Sequence, residues 1–485
     1  MSSNYFSPLR EMEKFPLDKF PNKDYTVLLP PDEIPTYWYN IQADLPEPMP
    51  PWLHPATLKP IPPQALEAIW TKEAVRHEFS KERWIKIPDP VLELYRQLPR
   101  PTPLKRCRRL EQFLNTPAQI YQKCEYVNPF GSHKTNGTAP EAYYAWAEGY
   151  KGITTEAGAA QWSSTFAYHC KYFNLRLMVF FARVSYDKKA GRRIIMELEG
   201  AEVYPSPSDR TEFGRKILKE YPEHPGSLGI AVAECLEVVL KEPDYWRYSL
   251  GSVANHILMY QTVVGLEAKK QLEMIDVYPD YVVGCIGGGS NYFGCMAPFM
   301  TDKLRGAKPE TEFHAVEGYA VPHTTKGRYT YDFGDTAKTT PLLPMLTIGC
   351  EYVPPPDHAG GLRYHGMAPL ISYLIVKGYM KAFAYRQTEV FKAAQIVAQT
   401  EGMITAPETA HAWKHAIELA LECKRKGEKK VILVNNCGHG LLDLAGYEEF
   451  LKGTLPDPEP TAIKYPQYVT EDPFAIREKY KEITA

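Results

Sequence analysis

The nine cysteines include no C-x-x-C pair, so neither a zinc-ribbon motif nor a paired redox motif is present. Their odd number and wide scatter read as reduced packing thiols rather than a disulfide framework, and no metal site is expected. Charge of one sign is equally scarce. Lys and Arg number 56 against 58 Asp and Glu, a formal net charge of -2, with no basic block; this excludes a field suited to a nucleic-acid backbone or an anionic membrane surface. Long apolar runs are missing too. The opening "MSSNYFSPLREMEKFPLDKF" holds no hydrophobic stretch of signal-peptide length, and no later stretch reads as a charge-free membrane span. The expectation is a cytoplasmic protein acting on small molecules, without nucleic-acid or membrane partners.

What is present is length and hydrophobic mass. A chain of 485 residues with 44% hydrophobic residues can bury more than one core, so two main domains with appendages are expected. Residues 1–98 are rich in proline and aromatics ("LPPDEIPTYWYN", "LPEPMPPWLHPATLKPIPP"), which disfavours long regular elements and suggests an extended segment wrapped over the body. From about residue 100 short apolar runs alternate with helical patterns. "LRLMVFFARV", "YVVGCIGGG", "EFHAVEG" and "KKVILVNNCG" read as buried strands, and "SVANHILMYQTVVGLEAKKQLEMI" and "EVFKAAQIVAQTEG" as helices. The alternation implies an α/β fold with largely parallel sheets. Residues 452–485 return to a proline-rich style. In "TAPETAHAWKHAIELALECKRKG", Thr405 and Glu408 have capping-box spacing and Gly427 supplies the helix stop.

Two stretches carry chemistry. In "VVGCIGGGSN", Gly287, Gly288, Gly289, Ser290 and Asn291 follow a strand and precede a helical pattern, the setting in which backbone N–H groups converge on a phosphate. The pattern is neither a P-loop nor a G-x-G-x-x-G fingerprint. In "NPFGSHKTNGTAP", Lys134 follows a glycine turn and His133. A lysine taken alone would be a solvated surface residue; in a buried cleft its amine would lose its proton more readily and become nucleophilic.

These stretches occur with "RPTPL", "TEAGAAQW", "HAGGLRYHG", "TEGMITAPETAHA" and "NNCGHG" in one order. Together they resemble tryptophan synthase β chains from about Pro99 to Leu451, in style the stand-alone second branch. The resemblance implies a type II pyridoxal-phosphate fold with two α/β domains and the cofactor between them: residues 99–258 with the Schiff-base lysine and substrate loop, and 259–451 with the phosphate loop. It implies Lys134 as the Schiff-base lysine and Glu156 as the acidic residue facing the acceptor. Pyridoxal phosphate would be held by His133, Lys134, Asn136, Gly287 to Asn291, Glu401 and Cys437, the last where the family usually offers serine to the pyridine nitrogen. The substrate would meet Ala157, Gly158, Ala159, Ala160, Gln161, Trp162 and Arg363.

Departures from the family pattern cluster at the substrate. Ala157 to Gln161 stand where Thr-Gly-Ala-Gly-Gln is usual, which removes a hydroxyl that would hydrogen-bond a carboxylate. Arg363 stands where the α-partnered branch has an aspartate for the serine hydroxyl, and a guanidinium suits an anionic leaving group such as phosphate. The implied activity is β-replacement: an aminoacrylate formed from serine or phosphoserine accepts indole or a related nucleophile at Cβ. The alternatives are β-elimination by a deaminase or lyase, β-replacement with a non-indole acceptor, and an idle binding protein. The family resemblance further implies a homodimer with no obligatory α subunit.

Overall fold

The computed structural model describes residues 25–188 and 190–484; the opening stretch judged for a signal sequence lies outside them. The runs rich in Val, Ile and Phe form strands because both faces of each are covered. Seven strands make the larger sheet, in the order Thr26–Val27, Leu104–Arg106, Gln119–Cys124, Val431–Asn436, Tyr281–Cys285, Glu312–Gly318 and Lys381–Tyr385. The first three pair antiparallel and the rest parallel. A second, all-parallel sheet runs Glu202–Ser206, Arg176–Ala182, Gly152–Ala157 and Trp246–Tyr248. The four expected strands all form. The larger sheet draws strands from both sides of residue 258: Thr26–Val27, Leu104–Arg106 and Gln119–Cys124 join four strands that lie after residue 280.

The single helix expected over residues 252–275 is two, Asn255–Tyr260 and Val263–Glu273. At the break the Thr262 hydroxyl donates to Met259 O at 2.6 Å and accepts the Tyr39 N–H at 2.9 Å. The Pro-rich leading segment thus ties itself to the core where that helix is interrupted. It is otherwise short strands, 3-10 turns and the short helices Lys72–Glu78 and Asp89–Gln97, and it buries Trp38, Tyr39, Ile41 and Leu53. Leu53 exchanges backbone hydrogen bonds with Leu342, each 2.9 Å. From the other terminus, Arg477 reaches back to Glu47 at 2.7 Å.

The capping box does not form. Pro407 takes the first helical position of Pro407–Lys426 and has no N–H to satisfy. The Thr405 hydroxyl turns to Ala406 O, and Glu408 is left for another contact. Gly427 does end the helix, at φ 68°. Among the described residues no helix is long and apolar enough to cross a membrane, and no group of three or more His, Cys, Asp and Glu is placed to hold a metal.

Candidate active site

Three helices begin at one place, none capped by the side chain before it. Lys134 precedes Thr135–Ala147, Ala160 at φ 60° precedes Gln161–Tyr172, and Gly289 at φ 101° precedes Ser290–Leu304. First-turn N–H groups without a capping side chain favour bound anions. Lys134 links the three, its Nζ 3.4 Å from Ser290 Oγ and 5.6 Å from the centre of the Trp162 ring.

The Lys134 ammonium donates to Gly251 O, and burial pushes its pKa down to about 8. A neutral amine is thereby within reach near neutral pH. The same Gly251 donates its N–H to Glu156 Oε1 at 3.1 Å, while the Tyr248 hydroxyl donates to Oε2 at 2.8 Å. Burial raises the pKa of this carboxyl, with those bonds pulling the other way. One backbone residue therefore holds the lysine and the glutamate.

The glycine turn is closely packed. A Cβ at Gly287 would lie 2.0 Å from Gly361 O, and one at Gly288 2.0 Å from Ser252 Oγ. Beside it, His133 Nδ1 is 3.2 Å from Cys437 O, and its Nε2 is buried without a protein partner. That orphaned ring nitrogen and the open helix terminus suit a phosphate oxygen. Asn291 braces the turn, donating to Cys285 O at 2.8 Å, and Asn435 donates to Asn291 O at 2.7 Å. Cys437, just past Val431–Asn436, has its Sγ 3.0 Å from Thr409 Oγ1 and 3.7 Å from Cys285 Sγ. The hydrogen bond from Cys285 holds the Cys437 thiol below the usual range.

Two residues expected at the cofactor are engaged elsewhere. Asn136 accepts from Arg100 at 2.7 Å and donates to Glu125 and Gln261 at 2.9 and 3.0 Å, so its amide anchors the helix behind Lys134. That anchor is a buried charge cluster in which Arg100 pairs with both Glu125 and Glu267. Glu401 accepts from Leu110 N at 2.9 Å and lies 3.5 Å from Lys105. It ends the helix Gln387–Glu401 where that helix packs on Arg108–Leu114, with Lys105 close by. The carboxylate that does approach is Glu408, which accepts from Gly361 N at 2.8 Å and acts electrostatically on Lys134. It lies in the quoted motif, hidden there by its capping-box spacing.

Ala157 to Ala160 form the turn from Gly152–Ala157 into the helix Gln161–Tyr172. Trp162 Nε1 donates to Thr155 at 3.0 Å, and Ser163 Oγ is buried without a protein partner. Arg363 is buried, not a surface residue. Its guanidinium donates to Ser185, lies 3.7 Å from Asp357, and shares a small cavity with Gly158, Ser227 and Leu228. On the other side of Glu156 an apolar cavity opens, walled by Trp52, Trp70, Leu228, Val253 and Tyr364 among others. Trp52 and Trp70 come from the leading segment, which no local motif marks as part of a site.

Comparison with known proteins agrees with this geometry. Residues 95–438 match the family model described as pyridoxal-phosphate dependent enzyme. The chain is 52% identical over 434 residues, 90% of its length, to tryptophan synthase beta chain 2 of Pyrococcus furiosus, covering 97% of that protein. It is also 52% identical over 432 residues to tryptophan synthase beta chain 2 of Aquifex aeolicus, covering 89% of this chain and 99% of that one. Among solved structures, a fungal L-serine ammonia-lyase from Rhizomucor miehei shares the fold at a TM-score of 0.54 and 14% identity, over 72% of this chain and 97% of that one. A lysine held near neutrality, an orphaned histidine and a glycine turn at an open helix terminus are what pyridoxal phosphate requires. The chain belongs to the tryptophan synthase β chain family, with the type II pyridoxal-phosphate fold, and is a pyridoxal-phosphate-dependent lyase catalysing β-replacement.

Proposed function

We propose that this enzyme joins a serine-type donor to indole, forming tryptophan. The observation that carries the reading is the position of Glu156, held through Gly251 beside the Lys134 amine and lining the apolar cavity. When bound, pyridoxal phosphate supplies an electron sink that acidifies the substrate Cα–H and loosens a β-substituent. Lys134 attaches the cofactor and moves the Cα proton. His133, the Gly287 to Asn291 turn and the helix behind it would hold the phosphate, and Cys437 would serve the pyridine nitrogen. Ala157 to Gln161 offer backbone donors to the substrate carboxylate, and Ser163 adds a hydroxyl. Glu156 assists departure of the β-substituent and then accepts a proton from the incoming indole. Its buried, raised pKa suits both acts.

Arg363 receives the leaving group. Its burial beside Gly158, with Ser185 and the more distant Asp357 as its polar partners among the described residues, supports a guanidinium turned to an oxyanion. O-phosphoserine should then be processed in preference to serine. Steady-state assays of tryptophan formation with each donor test this. Arg363→Ala should erase a preference of roughly ten- to a hundredfold, the range that a charge-assisted hydrogen bond of about 1.5–3 kcal/mol allows. Equal rates for both donors, unchanged by the substitution, would defeat the assignment of Arg363. Absence of tryptophan with either donor would defeat the whole reading.

The apolar cavity favours this over β-elimination alone, which has no acceptor to shelter. Action as a cytoplasmic homodimer without an α subunit belongs to the same proposal. It is supported by similarity over nearly the whole length of the beta chain 2 relatives.

A further inference from the structure

Behind the apolar cavity lies a second, larger one, lined by Leu45, Met49, Pro51, Ile61 and Phe79. Trp52 lines both. Its ring meets Trp70, on the Glu156 side, edge-on with centroids 5.9 Å apart, and Phe79, on the far side, at 5.7 Å. Ala254 lines the first space and its neighbour Asn255 the second. The Trp52 backbone is fixed: Ile61 N donates to Trp52 O at 3.0 Å, and the adjacent Leu53 is hydrogen-bonded in both directions to Leu342. The partition is therefore a side chain on an anchored segment.

We propose that Trp52 is a specificity-determining residue that sets the length of the aromatic acceptor, and that the second cavity is a latent extension of the acceptor site. The inference rests on the β-replacement reading. The ring is flanked mainly by apolar side chains on both sides, with Gln42, Lys81 and Asn255 the polar members of the second lining, so removing it joins two largely apolar spaces. An acceptor extended by a further aromatic ring would then fit with its reacting carbon still beside Glu156. With the partition in place the extra ring meets Trp52, and the longer acceptor is excluded by shape.

The test compares indole with indoles phenyl-substituted at each position of the six-membered ring, in the wild-type holoenzyme and in Trp52→Ala. The expected result is that, for at least one ring position, the ratio of kcat/KM for phenylindole to that for indole rises tenfold or more in Trp52→Ala. Equilibrium binding of the same phenylindole, read by fluorescence without donor, should tighten in parallel. Trp52→Phe, which keeps a smaller ring in the wall, should shift both readouts in the same direction by less, and stands in if Trp52→Ala does not fold. Adding Met49→Trp to Trp52→Ala refills the second cavity and should restore the discrimination. Unchanged ratios and unchanged binding at every ring position, in an enzyme that does join indole, overturn the role of Trp52 alone. Failure of the wild type to use indole defeats the underlying reading instead.

Discussion

The wall of the cleft proposed to hold the cofactor and the wall proposed to face the acceptor are assembled differently. The cofactor wall consists of short contiguous stretches at strand ends and helix starts: His133 and Lys134, Gly287 to Asn291, and Cys437. Each stretch carries its own local reason for being there, such as a turn without Cβ atoms or a helix terminus without a capping side chain. The acceptor wall gathers single apolar residues from distant segments, including Trp52, Trp70, Leu228 and Tyr364. Backbone geometry makes the first wall and side-chain volume makes the second. The first should therefore tolerate almost no change, while the second should trade one acceptor for another.

The largest effect that would sharpen this contrast is expected from Gly287→Ala. The added methyl would meet Gly361 O, a backbone atom that cannot rotate away. Cofactor affinity, followed by absorbance titration of the apoenzyme, should fall by roughly a hundredfold or more, since losing phosphate donors costs several charge-assisted hydrogen bonds. Near-normal affinity would mean that the turn is not the phosphate site. A smaller effect is expected from Glu156→Gln, which sits where the walls meet. It should lower kcat by about 10²–10⁴, the range of a general acid–base group, while leaving cofactor affinity close to normal. Loss of cofactor binding in that variant would erase the distinction between the walls.

The same contrast explains what the sequence discloses. Strands such as Tyr281–Cys285 are legible because burial on both faces leaves a run without charged residues. The cofactor wall is legible because its chemistry is local. Where a residue's partner is remote, local reading fails. Asn136 lies two residues from Lys134 yet is drawn into the Arg100 and Glu125 cluster, and Glu401 is taken by Leu110 and Lys105. Glu408 has capping-box spacing, but Pro407 removes the need for a cap and frees it to reach Gly361. The helix break at Gln261 and Thr262 depends on Tyr39, more than two hundred residues earlier, and no periodicity within the helix could reveal it. Arg363, read from the family resemblance as a substrate residue, is buried beside Gly158 by the fold.

The central claim is that Lys134, held by Gly251 against Ser290 with its amine brought down to about 8, carries the cofactor. Borohydride reduction of the holoenzyme, followed by proteolysis and peptide mapping, tests it most directly. The account predicts a single pyridoxyl group, on the peptide containing Lys134. A pyridoxyl group on any other lysine, with Lys134 unmodified, would contradict it.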